Sequence, residues 1–202
     1  MGAIKTVVKV GGSLLGWKGL PAGLSDYLDT VDRHTTVLIA GGGGAADFLR
    51  ALDSTHRIGE KRSHGLALMA LDLTAHALAA VVPGLAVVGH PEGLSGAVER
   101  GQTPVLAPRW FVENIDGRSA EPLKESWEVT SDSIAARVAG FLGAAELVLL
   151  KSTGLGTITT RAGAARAGIV DPAFPAASAA IPRLAVINLR GNPPSKEWID
   201  LV

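Results

Sequence analysis

Two lysines stand where ammonium groups are seldom left. Lys9 interrupts the apolar run Thr6-Val-Val-Lys-Val10 one residue before its end, and Lys151 closes the run Glu146-Leu-Val-Leu-Leu150 just ahead of Ser152-Thr-Gly154. Burying an ammonium is costly unless an anion meets it. Glycines gather nearby: Gly11-Gly12-Ser13 follows the first run, and Gly41 to Gly44 follow a third, Thr36-Val-Leu-Ile-Ala40. Without Cβ atoms, backbone N–H groups in such loops approach an anion closely. A polyphosphate supplies the anion that both lysines need. Asp132, in the first turn of a helix capped by Ser131, is the carboxylate that holds both ammonium groups between turnovers. Taken singly, each feature has an ordinary meaning: strand-end lysines reach solvent, first-turn aspartates face the helix dipole, and glycines after strands make turns. Their joint occurrence points to chemistry.

Other chemistries find little support. The 202 residues hold no cysteine, so thiolate metal sites, disulfides and a cysteine nucleophile are excluded. The five histidines, His34, His56, His64, His76 and His90, form no HExxH, and there is no GxSxG elbow. Gly11 to Lys18 comes near the P-loop pattern, but Trp17 intrudes where its lysine belongs. Gly41 to Ala46 fits the dinucleotide pattern GxGxxA, yet Glu60, at the right distance, does not end a strand. Nineteen Lys+Arg balance nineteen Asp+Glu, and without surplus positive charge neither a nucleic-acid nor an anionic-membrane partner is expected. The start, Met1 to Val10, lacks a secretory signal. The most apolar region, Leu66 to Val88, is broken by Asp72, His76, Pro83 and Gly84, short of the roughly 20 apolar residues of a bilayer span. A cytoplasmic protein is expected.

The elements that must position these residues alternate. Strands are expected at Thr6 to Val10, Thr36 to Ala40, Leu85 to Val88, Pro104 to Leu106, Glu146 to Leu150 and Leu184 to Ile187. Helices are expected over Leu20 to Val31, from Ala45, over Ser63 to Val82, and from Ser131 to Gly140 or Gly143. Leu66, Met69, Leu73, Ala77 and Val81 recur at helical spacing and predict the buried face of the third helix; Ile134, Val138 and Phe141 predict that of the fourth. Arg109 to Trp127 reads as a loop or lobe, Leu155 to Ala173 as a hairpin, and Ala173 to Ala180 as a linker. The alternation predicts an α/β fold, a three-layer αβα sandwich with a largely parallel central sheet.

In order and separation, Lys9-Val-Gly-Gly-Ser13, Gly41 to Gly44, Thr130-Ser-Asp132 with Ala135, and Leu150-Lys-Ser-Thr153 resemble the amino acid kinase family. The resemblance runs from Val7 to about Asn188 and implies one domain over 1–202, with an acceptor half to about 125 and a nucleotide half beyond it. It implies ATP with Mg2+ held mainly by the ATP phosphates, no protein metal ligands, a small phosphorylated acceptor and a homo-oligomer, with Trp17, Trp110 or Trp198 as contacts. Lys9 would meet the transferring phosphoryl group, Lys151 the ATP phosphates, and Asp132 would orient both. Gly11, Gly12 and Ser13, with Ser152, Thr153 and Gly154, would bind the nucleotide, and Ser152, Thr153 and the region through Asp171-Pro172 would fall at its adenosine half. Gly41, Gly42, Gly43, His64 and Thr130 would face the acceptor, with Asp72, Lys61 and Arg62 as further contacts. The short, alanine-rich 155–182 region would leave the adenosine pocket open or completed by a second subunit. The blocks Ser63 to Asp72 and Ser126 to Ser133 are most similar to a subfamily of small kinases in methanofuran biosynthesis, which implies [5-(aminomethyl)furan-3-yl]methyl phosphate as acceptor. The alternatives are a carboxylate or nucleoside monophosphate acceptor, a non-catalytic nucleotide or oxyanion-binding protein, or a nicotinamide cofactor at Gly41 to Gly44.

Overall fold

The computed structural model describes residues 4–200; the leader reading at Met1 and the domain limits at 1 and 202 fall partly outside them. Seven strands among these residues form one sheet: β1 (Thr6–Val10), β2 (Thr36–Ala40), β3 (Leu85–Val88), β4 (Thr103–Leu106), β5 (Glu146–Lys151), β6 (Arg183–Asn188) and β7 (Ser195–Trp198). Their order is β3-β4-β2-β1-β5-β6-β7, parallel except for β7, which runs antiparallel on β6. Parallel strands need crossovers, and the helices supply them on both faces, so the expected α/β sandwich holds. β1, β2 and β5 are short β-branched or leucine runs, buried on both sides because both sides are covered.

Side chains alternate along each strand and divide the core in two. Val7, Val37, Ile39, Leu147 and Leu149 face a layer containing α6 (Ser131–Leu142). Val8, Val10, Leu38, Val148 and Leu150 face α1 (Leu20–Leu28) and the later turns of α3 (Glu60–Val81). Between β2 and α3 lies α2 (Gly43–His56).

Several local expectations need correction. In α3 the packed stripe is Leu68, Leu71, Ala75 and Leu78, while Met69, Leu73 and Val81 are 52%, 61% and 52% exposed. Both stripes have helical spacing, and a helix apolar around most of its circumference does not say which one meets the sheet. By length and composition alone this helix would also pass as a membrane span; its packed stripe sits on the sheet instead. Phe141 is 51% exposed and meets Phe111 edge to face. The supposed lobe contains α5 (Arg109–Asn114). The supposed hairpin holds a helix instead, α7 (Arg161–Arg166). The supposed linker is α8 (Phe174–Ala177), with Phe174 fully buried. Arg161 welds these short helices: its buried guanidinium donates to the carbonyls of Ser178 and Ile181.

Candidate active site

Strand register decides where the lysines point. β1 pairs with β5 so that Lys9 lies opposite Leu149. With period-two alternation, Val7 and Lys9 share a face with Leu147, Leu149 and Lys151, the face that α6 covers. The first turn of α6 lies at the carboxyl ends of these strands and brings Asp132 between the two ammonium groups. Lys9 Nζ is 2.8 Å from Asp132 Oδ1, and Lys151 Nζ is 2.6 Å from Oδ2. Lys151 also donates to the carbonyl of Ile169 at 2.7 Å. Lys9 and Asp132 are each only 4% exposed. These lysines therefore do not snorkel to solvent.

Within this triad two cations share one carboxylate, and Asp171 adds a more distant attraction on Lys151. Burial acts first on Lys151, and repulsion from Lys9 adds to it, so its pKa falls to about 8 despite the attraction of Asp132. Burial alone would raise the Asp132 carboxyl, but Lys9 and Lys151 outweigh it and hold the group below the usual carboxylate range. An entering anion would complete this cluster.

The helix that carries Asp132 is held by a second carboxylate. Thr130, not Ser131, is the N-cap of α6. Asp171 Oδ2 accepts from the N–H groups of Thr130 and Ser133, both at 3.1 Å, and from the Thr130 hydroxyl at 2.7 Å. The Ser133 hydroxyl donates to Oδ1. These bonds satisfy donors that a helix start otherwise leaves free, and they tie the chain after α7 to the site. Spacing gave no sign of this, because Asp171 and Ser133 are 38 residues apart.

The glycine loops after β1 and β2 meet backbone to backbone. A Cβ on Gly12 would lie 2.3 Å from the Gly43 nitrogen, and Gly43 has φ of +49°; both positions need glycine. Gly11 and Gly41 were expected to face ligands, but their N–H groups donate to Leu150 and Val10 carbonyls at 2.7 and 2.8 Å. Gly42, Gly43 and Gly44 do line a pocket, at the start of α2, where no side chain caps the helix.

That pocket, of about 350 Å3, has Gly12, Ser13 and the α2 glycines at one end and Trp127 with Arg50 lining it farther along. Leu68, Leu71, Val129 and Ile134 give it apolar walls. His64 lines it, and burial lowers the imidazole pKa, so the ring is neutral at pH 7. Thr130 also lines it, though its hydroxyl serves Asp171. Asp72 lies outside the lining and accepts from the N–H of Arg109 at 3.2 Å, at the start of α5. Lys61 pairs with Glu125 at the surface, and neither it nor Arg62 lines the pocket. Among the residues expected to bind the nucleotide, the Ser13 and Ser152 hydroxyls are 3.0 Å apart. Thr153 is exposed, and Gly154 packs against Glu197 of β7. Glu197 also accepts from the N–H of Leu155 at 2.7 Å.

Comparison with known proteins follows the same lines. The sequence profile of the amino acid kinase family matches residues 5–154. Over 150 residues the chain is 27% identical to a protein of Methanocaldococcus jannaschii named [5-(aminomethyl)furan-3-yl]methyl phosphate kinase. The match takes in 71% of this chain and 63% of that protein, less than two thirds of its length. The fold is similar to that of UMP kinase from Ureaplasma parvum, with a TM-score of 0.63, 13% identity and coverage of 96% of this chain and 93% of the other. It is also similar to aspartate kinase from Synechocystis, with a TM-score of 0.64 at 14% identity over 98% of this chain and 40% of that one. The profile match spans well over half of the sequence and includes both lysines, Asp132 and both glycine loops: the chain belongs to the amino acid kinase family.

Proposed function

We propose that this protein is a kinase that moves the γ-phosphoryl group of ATP onto a small phosphorylated acceptor, with [5-(aminomethyl)furan-3-yl]methyl phosphate as that acceptor. The observation that carries the reading is the Lys9–Asp132–Lys151 cluster, two buried ammonium groups on one carboxylate at the carboxyl ends of two parallel strands, each followed within three residues by glycine. Family membership and the name of the Methanocaldococcus jannaschii relative support the substrate class. So does the pocket, whose volume of about 350 Å3 is at the small end of the range for ligand sites. A five-membered ring with two short arms suits it.

Phosphoryl transfer asks for alignment and for positive charge on the equatorial oxygens, with little covalent work by the protein. Lys9 meets the moving PO3 group, and Lys151 neutralises the charge that develops on the departing ADP oxygen. Asp132 sets both ammonium groups in place and favours the charged form of Lys151. The N–H groups at the start of α2 hold the acceptor phosphate. That phosphate attacks as an oxyanion and needs no general base. Mg2+ would arrive on the ATP oxygens and would screen the triphosphate charge. Asp132 is already committed to two lysines, and the described residues gather no group of three or more acidic or histidine ligands. In this reading the N-terminal half, to about 125, provides most of the acceptor site, and Trp127 to Ile134 close it from the nucleotide half.

The test is a product assay with ATP, Mg2+ and one of three acceptors: the aminomethylfuran phosphate, UMP or acetylglutamate. The expected result is a pair of coupled diphosphate signals in the 31P spectrum, with equimolar ADP, for the furan compound. Turnover of only UMP or acetylglutamate would move the substrate elsewhere in the family. ATP binding without turnover of any would overturn the kinase reading.

A further inference from the structure

The pocket has electrostatically opposite ends. Its inner end, at the uncapped start of α2, suits an anion. Its outer end carries Asp47 and has Asp53 behind it, against a single cation, Arg50. Arg50 lies over the Trp127 indole, 5.0 Å from the ring centroid, and 3.1 Å from Asp47 Oδ1. Trp127 does not tilt freely: its Nε1 donates to Asp53 Oδ2 at 2.8 Å, and Asp53 accepts in turn from the N–H of Gly59 at 2.9 Å. An indole face fixed at its edge, with a carboxylate beside it, is a receptor for a cation. Here the cation in place is the protein's own.

Arg50 is a loosely held occupant. Its side chain is 45% exposed and that of Asp47 74%, and an exposed pair three residues apart on a helix is held weakly. Asp47, Arg50 and Trp127 all line the pocket that begins at Gly43. At about 1.5 Å of rise per residue, Asp47 stands about 6 Å along α2 from Gly43, the scale of a small ring with an arm on each side.

We propose that Asp47 and Trp127 form a subsite for a primary ammonium group on the acceptor, a site that Arg50 fills until the acceptor displaces it. The inference rests on reading this pocket as the acceptor site. It makes the preferred acceptor a zwitterion, with phosphate at the α2 glycines and ammonium on the indole. His64, kept neutral by burial, adds no charge that would repel this group.

Furfurylamine and furfuryl alcohol share a ring and differ in charge at neutral pH, so they isolate the subsite without nucleotide or turnover. Each is titrated into the whole protein while the indole Nε1–H resonance of Trp127 is followed, assigned by its loss in Trp127→Phe. The expected result is that the amine shifts the resonance and binds at least about fivefold more tightly than the alcohol. Asp47→Asn should abolish that preference, and Arg50→Ala should strengthen amine binding. Circular dichroism confirms that each variant is folded. Equal binding of the two probes, no shift with either, or a preference that survives in Asp47→Asn would overturn the proposal. The acceptor assay above decides the kinase reading separately: an ammonium preference without furan phosphorylation would leave the subsite standing and remove the substrate, and the converse would remove the subsite alone.

Discussion

Replacing Asp132 by Asn keeps the shape of the side chain and removes the one negative charge between two buried ammonium groups. Lys151 already titrates at about 8 in the intact cluster. Without the carboxylate, burial and repulsion from Lys9 push it lower still, at a cost to folding. Lys9, facing an amide, adds to this, and the total should come to about 3 kcal/mol, the low end for a broken buried pair. Turnover should fall by a factor on the order of 10² to 10³. The pH profile carries the sharper signature. Lys151 stabilises phosphate charge only while protonated, so in the native protein kcat/KM for ATP should decline as pH rises through about 8. In Asp132→Asn the decline should begin at a distinctly lower pH. Urea unfolding at pH 7 and steady-state kinetics between pH 6 and 9.5 read both effects. Less than a tenfold loss of kcat, or an alkaline limb still near 8 in the variant, would refute the reasoning.

Other expectations follow from the same geometry. Lys9→Ala and Lys151→Ala should each lose activity by a factor on the order of 10² to 10³ while keeping native circular dichroism; full activity in either would remove that lysine from the mechanism. The depressed Lys151 pKa also acts on stability, because between about pH 8 and the ordinary lysine value near 10.5 the unfolded chain holds a proton that the folded chain has released. Unfolding free energy from this group should therefore rise with pH across that window, and the rise should vanish in Lys151→Met. Gly12→Ala places a methyl 2.3 Å from the Gly43 nitrogen and should cost about 1 to 3 kcal/mol by urea unfolding. Arg161→Met leaves the Ser178 and Ile181 carbonyls without their donor and should cost about 2 kcal/mol or more, measured in the same way.

The parts of the fold visible in the sequence are those where one choice satisfies the pattern. β1, β2 and β5 are short apolar runs followed by glycine or closed by lysine, and their parity places Lys9 and Lys151 on one face once the register Lys9 opposite Leu149 is set. α3 shows the opposite case. Leu66, Met69 and Leu73 make as good a stripe as Leu68, Leu71 and Ala75, and only the position of β2 and β3 chooses between them. Alanine-rich residues 173–180 look like a linker because alanine says little about burial; Phe174 and Arg161 supply the packing. The cluster of Lys9, Asp132 and Lys151 is legible because two lysines close apolar runs beside glycines and a first-turn aspartate accompanies them, a joint occurrence that no single residue would betray. The hold of Asp171 on the start of α6, in a region that the resemblance assigns to the adenosine half, and the Arg50, Trp127 and Asp53 group are not, since each residue is ordinary in its own segment and acquires a partner only through the fold. Asp53 and Trp127 are 74 residues apart, and neither interrupts a pattern.

The most direct test of the central claim is calorimetric binding of MgADP with aluminium fluoride and acceptor, which mimics the migrating phosphoryl group, to the native protein and to Lys9→Ala. If the ammonium groups converge on that group, Lys9→Ala should weaken the aluminium fluoride complex about 100-fold and change the affinity for MgADP alone by less than about threefold. Equal losses for the two ligands, or no loss for the mimic, would contradict the account.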